Sequence, residues 1–382
     1  MDSFCSSDRN NIVMSSSKIF YFANPRAQYL ALKDELNEAM AQVLDSDSYI
    51  LGSQVALFEE EFASYIGRKY AVGVNSGTDA LILSMRALNI GVGDEVIIPS
   101  FTAVATAAAV VAVGAQPVFI DIDIESYSLN PELLDSAFSN KTKAVIAVHL
   151  YGNPAKIREI SDWCAAKSLY LIEDCAQAHG AQFDFSTVGT RGVISCFSFY
   201  PTKNLGGIGD GGGITTDNED LYLRLRMLRQ YGWAETRNSQ IVSQISRLDE
   251  LQASILRIKL KYLDSNNQKR ISLAHVYDQC LDRTKFILPS VREGNTHVFH
   301  LYVVRVSNRS RYLNELPKKN IYPGIHYEWP VHLNDAYKSK IGRISGSLLN
   351  TELASQTVMS LPMYPELTDR DIQYISEVAN NV

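Results

Sequence analysis

Apolar residues recur every three or four positions from Tyr29 to Leu44, where Leu32, Leu36, Ala39, Met40 and Val43 share one side. That spacing predicts an amphipathic helix. A second such helix runs from Val55 to Ile66 and closes at Gly67. The period then shortens. Tyr70–Val74 reads as a strand, as do Glu95–Ile98, Pro117–Ile120, Val145–Leu150 and Leu169–Ile172. Between them lie an Ala-rich buried helix over Thr102–Val113 and a helix over Ile157–Lys167. Strands alternating with helices from about Tyr70 to Thr216 predict an α/β fold, a mainly parallel sheet flanked by helices. From about Asp264 the pattern changes to a smaller α+β lobe, with a strand-like run over His297–Val306 and a turn at Pro323-Gly324. The expected division is a disordered lead-in over 1–17, a large α/β domain over 18–263 and a small C-terminal α+β domain over 264–382.

Composition narrows the function classes. The chain has 382 residues, enough for a large core and two lobes. Its net charge of -6 argues against nucleic acid as a partner, because nucleic-acid binding needs a basic footprint. The longest apolar stretch, Ala103 to Ala115, is too short to span a bilayer, so no membrane is expected. Five cysteines are scattered without a CxxC pair, which suits neither a disulfide framework nor a zinc site and points to a reducing cytoplasm.

Candidate chemistry sits where the strands end, because parallel sheets bind ligands at their carboxyl edge. The first strand runs into Asn75-Ser76-Gly77-Thr78-Asp79, a small polar turn opening a helix near Thr78. Unpaired N–H groups at such a helix start suit a phosphate, although Ser and Thr are also ordinary helix caps. The strand over Leu169–Ile172 delivers Glu173-Asp174, two acids on opposite faces. An acid at a strand end is often simply solvated. Lys203 follows the aromatic run Phe197-Ser198-Phe199-Tyr200 and precedes a glycine-dense loop, Gly206 to Gly213. A lysine in an apolar pocket loses its proton readily and attacks carbonyls, whereas most lysines are surface groups.

The glycine loop contains Gly207-Ile208-Gly209-Asp210-Gly211-Gly212, a formal GxGxxG. A dinucleotide fingerprint needs a helix after it; here Gly213-Ile214-Thr215-Thr216 reads as a strand, so the loop is expected to pack closely around Lys203 instead. Phosphate turn, strand-end acid and lysine together suit one cofactor, pyridoxal phosphate. It needs a lysine for covalent attachment, an acid against the pyridinium nitrogen and a phosphate cup.

The runs Ile172-Glu173-Asp174-Cys175-Ala176-Gln177-Ala178-His179-Gly180-Ala181, Phe197-Ser198-Phe199 with Lys203-Asn204-Leu205-Gly206, and Ser246-Arg247-Leu248-Asp249-Glu250 resemble the DegT/DnrJ/EryC1 family of sugar-nucleotide aminotransferases. The resemblance extends from Tyr49-Ile50-Leu51-Gly52 to Leu361-Pro362-Met363-Tyr364-Pro365. It implies the aspartate aminotransferase-like fold, PLP fold type I. It also implies that Lys203 holds pyridoxal 5'-phosphate and shuttles a proton, with a pyridoxamine phosphate form midway. Asp174 would pair with the pyridine nitrogen, Gln177 would lie by the ring, and Gly77, Thr78 and Ser198 would hold the phosphate. Arg247 would reach the neighbouring subunit's site in a homodimer, and His326 and Tyr327 would line the sugar pocket. A packed aromatic loop explains the segment around His326 equally well, and His179 suits a structural imidazole as well as a site residue. Two positions depart from the family pattern: Ala103 stands where many members have a ring-stacking aromatic, and Ile245 where many have a phosphate-binding Asn. The implied reaction moves an amino group from L-glutamate to a nucleotide-linked keto-sugar, foremost a dTDP-3-keto-6-deoxyhexose. A 4-keto or UDP-linked acceptor is the alternative, and a non-catalytic PLP-binding regulator lies outside the enzyme class.

Overall fold

The computed structural model describes residues 18–338 and 341–382, so the expected lead-in over 1–17 lies outside the described residues. Eight strands form the central sheet. In chain order they are β1 (Tyr70–Val74), β2 (Glu95–Pro99), β3 (Gln116–Ile120), β4 (Thr142–Val148), β5 (Tyr170–Asp174), β6 (Ile194–Ser198), β7 (Gly212–Thr216) and β8 (Arg343–Ile344). Their order across the sheet is β8-β3-β2-β4-β5-β6-β7-β1. All neighbours are parallel except β7, which runs antiparallel to both β6 and β1.

The side-chain alternation of each strand divides the interior into two cores. Val96, Ile98, Ile146 and Ile172 face one, with Val72 and Val74. Ile97, Val145, Ala147 and Leu171 face the other, with Phe58, Phe62, Phe197 and Phe199. Each fully buried Val, Ile or Leu contributes about 1.5–3 kcal/mol, so the register is strongly fixed. A third core gathers Phe20 with Leu273, Tyr277, Tyr302, Met359 and Ile375 around a two-stranded antiparallel pair, Tyr302–Arg305 with Val358–Leu361. Phe20–Tyr21, which precedes the central sheet in the chain, pairs with Ile321–Tyr322 in the third core, and β8, which follows that pair, lies against β3, so the chain passes between the central sheet and the third core more than once.

The helix expected from Tyr29 to Leu44 is two helices, α1 (Pro25–Ala31) and α2 (Lys33–Leu44). Asn24 caps the first, with Pro25 where a missing N–H costs nothing; Leu32, at φ -118°, leaves the helical region between them. Helix α3 (Ser53–Ile66) ends as expected at Gly67, whose φ of +84° suits glycine and whose N–H donates to Ala63 and Ser64 carbonyls. The run from His297 is apolar because it is buried, while only Tyr302–Arg305 is extended strand; a positive φ of 44° at Phe299 turns the chain first. Among the described residues no helix is long and apolar enough to cross a membrane.

At the outer edge of the sheet, β1 has its exposed backbone covered at Gly73. Gly73 N–H donates to Glu59 Oε1 at 2.7 Å, Gly73 O accepts from Arg229 Nη1 at 3.2 Å, and Glu59 and Arg229 pair with each other.

Candidate active site

Four strands bring the predicted groups to one edge of the sheet. In register, Asp174 lies opposite Cys196, while Gly212 lies opposite both Ser198 and Val74. Helix α4 (Gly77–Ala87) starts directly beyond β1, and its cap Ser76 accepts from Asp79 N–H through its hydroxyl. The amides of Gly77 and Thr78 belong to the first turn, which has no intrahelical acceptor for them. A Cβ on Gly77 would stand 2.7 Å from Ser198 Cβ, and one on Gly212 would run into the Ser76 carbonyl. Glycine at both places lets α4, β6 and β7 meet closely enough to form a cradle of backbone amides beside the Ser198 hydroxyl. Helix-start amides beside a hydroxyl are the donor chemistry a phosphate takes, so the residues present fit the cofactor's anionic end. As expected, β7 follows the glycine loop and no helix opens there.

Asp174 is 6% exposed at the end of β5. Its Oδ1 accepts from Ala176 N at 3.1 Å and its Oδ2 from Thr106 Oγ1 at 3.1 Å. Burial pushes its carboxyl above the ordinary value, opposed by the Ala176 amide, the Lys203 charge and Thr106. A buried acid with a raised pKa is a ready partner for a cationic ring nitrogen, which would return it to the ionised form. Lys203 sits on a turn closed by its own N–H donating to Tyr200 O at 2.8 Å. Burial lowers its ammonium to about 8, while Asp174 works in the other direction. The amine is therefore partly neutral near physiological pH, as a nucleophile or a proton carrier requires.

Around it stand neutral imidazoles. His179 is pushed down to about 3 and His326 to about 4, each by burial and then by the charge on Lys203. His300, which the sequence did not single out, is driven well below its ordinary value by the same causes in the same order. The His179 ring packs against Phe197 and Phe199 at 5.6 and 5.9 Å. His326 Nδ1 meets Ser360 Oγ at 2.9 Å, and its carbonyl accepts from the Tyr151 hydroxyl.

Gln177 is engaged at both ends. Its Oε1 accepts from Tyr151 N at 2.8 Å and its Nε2 donates to Tyr327 Oη at 3.0 Å, so it ties the Asp174 loop to the His326-Tyr327 segment. Burial holds the Tyr327 hydroxyl protonated, pushed up to about 12 despite that bond. Arg247 is half-buried, and among the described residues its guanidinium makes no hydrogen bond or ion pair. Ala103 opens helix α5 (Val104–Ala112) with no side chain to cap it, and Ile245 is 40% exposed.

Beneath the site, Glu173 points away from Asp174 into the interior. It accepts from Gly189, Arg191 and Gly192 amides at 2.9, 2.7 and 2.6 Å and from His149 Nε2 at 3.0 Å. His149 Nδ1 accepts from Ala155 N at 3.0 Å, which leaves its proton on Nε2. Burial would raise Glu173, but His149 and the amides outweigh it and hold the carboxyl at about 2. His149, Glu173 and Cys175 lie within 4.8 Å of one another, yet the first two spend their ligand atoms on these bonds. Thr106, Tyr151 and this pair escaped the sequence because their partners lie 24 to 175 positions away.

The profile of the DegT/DnrJ/EryC1/StrS aminotransferase family matches residues 31–379. The chain is 42% identical over 359 residues to the dTDP-3-amino-3,6-dideoxy-alpha-D-galactopyranose transaminase of Aneurinibacillus thermoaerophilus, covering 94% of this chain and 98% of that one. It is 40% identical over 353 residues to the UDP-N-acetyl-3-dehydro-alpha-D-glucosamine 3-aminotransferase of Acidithiobacillus ferrooxidans, covering 92% and 95%. Among solved structures, DesV of Streptomyces venezuelae in complex with a ketimine intermediate superposes with a TM-score of 0.92 at 40% identity, over 96% of this chain and 98% of that one.

Proposed function

This chain belongs to the DegT/DnrJ/EryC1/StrS aminotransferase family, whose members use pyridoxal phosphate, and from that membership we propose a substrate and a set of residue roles. The amino donor is L-glutamate. The acceptor is a dTDP-linked 3-keto-6-deoxyhexose, converted to the 3-amino-3,6-dideoxyhexose. The observation that carries this reading is the half-buried Lys203, its charge felt by the buried Asp174, beside the Gly77–Ser198 cradle, in a chain whose similar relatives are named for amination at C3.

When bound, the cofactor supplies an electron sink for the carbanion left as the donor loses its α-proton. Lys203 holds it covalently and, once freed, takes and returns that proton at Nζ. Asp174 stands against the pyridine nitrogen. Gly77, Thr78 and Ser198 bind the phosphate, and Gln177 orients Tyr327 and the loop beside the ring. His326 and Tyr327 line the sugar pocket. Arg247, without an ion partner among the described residues, reaches the site of a second copy, which makes the working unit a homodimer with a large PLP-binding lobe and a small C-terminal lobe in each protomer.

A UDP-linked acceptor is the second reading, favoured by the likeness to the Acidithiobacillus enzyme. The test supplies glutamate with 3-keto and 4-keto dTDP-sugars and the 3-keto UDP-sugar, and locates the new amine by NMR. Amination at C3 of the dTDP-sugar is expected; product aminated only at C4, or only on the UDP-sugar, overturns the choice of substrate.

A further inference from the structure

The turn that carries Lys203 is held by side chains from two helices, α6 (Glu250–Leu260) and α7 (Leu263–Cys280). From α6, the buried Lys259 donates to Gly206 O at 2.6 Å, and Gln252 Oε1 accepts from Ile208 N at 2.9 Å. From α7, Asn267 accepts from Asn204 Nδ2 at 2.8 Å, and that same nitrogen also reaches Val298 O at 3.0 Å. Asn267 is 4% exposed and uses its own amide nitrogen to donate to His179 O at 2.8 Å.

One amide therefore joins two loops: Asn204 is the residue after Lys203, and His179 lies on the loop that starts at Asp174 and holds Gln177. Among the described residues no other side chain is hydrogen-bonded to both. Local backbone accommodates the bridge, since a Cβ on Gly180, at φ +80°, would come within 2.7 Å of Asn267 Nδ2. Only a side chain with an acceptor and a donor at its tip can serve both loops at once. Three residues on, the same helix carries Arg270, which donates to Phe299 O at 3.2 Å and Met363 O at 2.9 Å, so the anchor is itself fixed to the C-terminal core.

We propose that Asn267 is a positioning residue for Lys203: by clamping the Lys203 turn against the Asp174–His179 loop, it sets where the lysine amine stands relative to the Asp174 carboxylate. The clamp acts through Asn204 and the His179 carbonyl and touches neither the donor nor the acceptor sugar. A loosened turn moves the amine away from the place where it exchanges a proton, and a displacement near 1 Å at such a position costs on the order of a hundredfold in rate.

The proposal rests on Lys203 being the reacting amine, and the test separates the two. In the full-length protein without cofactor, the pKa of Lys203 is measured by competitive acetylation and peptide mass spectrometry for wild type, Asn267→Ala, Asn267→Asp and the surface control Gln268→Ala. Released from its clamp, the turn admits water, so Asn267→Ala raises the Lys203 pKa from about 8 toward the ordinary lysine value, and Gln268→Ala leaves it in place. Asn267→Asp keeps the bond to Asn204, loses the donor to His179, and shifts the pKa by less; it also carries the test if the alanine variant does not fold. In the cofactor-loaded enzyme, kcat falls at least about tenfold while the KM for the donor stays within about twofold. A variant that is folded and merely less heat-stable, with Lys203 pKa and kcat unchanged, overturns the proposal. A shifted pKa in a protein that aminates none of the sugars offered sustains the clamp and refutes the choice of substrate.

Discussion

Gly77→Ala tests the cradle with the smallest possible change. Alanine at this position, the first of helix α4, has no conformational penalty, and by propensity alone it gains up to about 1 kcal/mol over glycine in a helix interior and less at its first residue. Against that gain, the new methyl would stand 2.7 Å from Ser198 Cβ and 3.2 Å from both Ser198 Cα and Oγ. Ser198 cannot easily retreat. It pairs with Gly212, which lies so near the Ser76 carbonyl that even a Cβ there would clash. Forcing a methyl into a packed contact of this kind costs about 1–3 kcal/mol, so the clash exceeds the propensity gain. The displacement falls on the Gly77 amide and the Ser198 hydroxyl, the groups proposed to hold the phosphate. Expressed wholly in cofactor binding, that cost is a roughly five- to hundredfold rise in Kd. Titrating the cofactor-free protein with pyridoxal phosphate by fluorescence quenching, alongside a thermal melt without cofactor, separates loss of affinity from loss of fold. A variant that binds as tightly as wild type would refute both the cradle and its assignment to phosphate.

Two further outcomes are expected. Lys203→Ala, reduced with borohydride in the presence of cofactor, carries no covalent label by mass spectrometry, and amination falls by at least about 10²–10⁴-fold; label retained on another lysine would move the reacting amine elsewhere. His149→Ala removes the first of the groups that hold the Glu173 carboxyl down. Because the folded carboxyl lies at about 2, below its ordinary 4.5, it adds stability that is complete above about pH 4.5 and disappears as pH falls toward 2. The full contribution is roughly 3 kcal/mol, so the variant unfolds at a higher pH in an acid titration followed by circular dichroism, and an unchanged midpoint refutes the coupling.

The sheet, and the turn, acid and lysine that meet at its carboxyl edge, were legible in the sequence because all are written locally. Strand periods along Tyr70–Thr216, the Ser76 cap and the acid at the end of β5 need only neighbouring residues to be recognised, and so does the strand that makes the GxGxxG a false fingerprint. The pieces that hold the centre in place were not legible. Thr106 reaches Asp174 from 68 positions away, Asn267 reaches Asn204 from 63, and Gln177 reaches Tyr327 from 150. No periodicity encodes such pairs; the fold creates them. The apolar run from His297 misled for a related reason, since burial and strand formation leave the same mark on a short segment, and only the backbone turn at Phe299 separates them.

The covered edge of the sheet limits how copies of this chain can meet. A strand with free N–H and C=O groups is a template that another strand can extend. At Gly73 both backbone groups are already taken, one by a carboxylate and one by a guanidinium that also neutralise each other. Joining a second sheet there would mean stripping an ion pair as well as two hydrogen bonds. Extension of the sheet from β1 is thereby made costlier at Gly73 than at an open strand, and growth through that edge is disfavoured there.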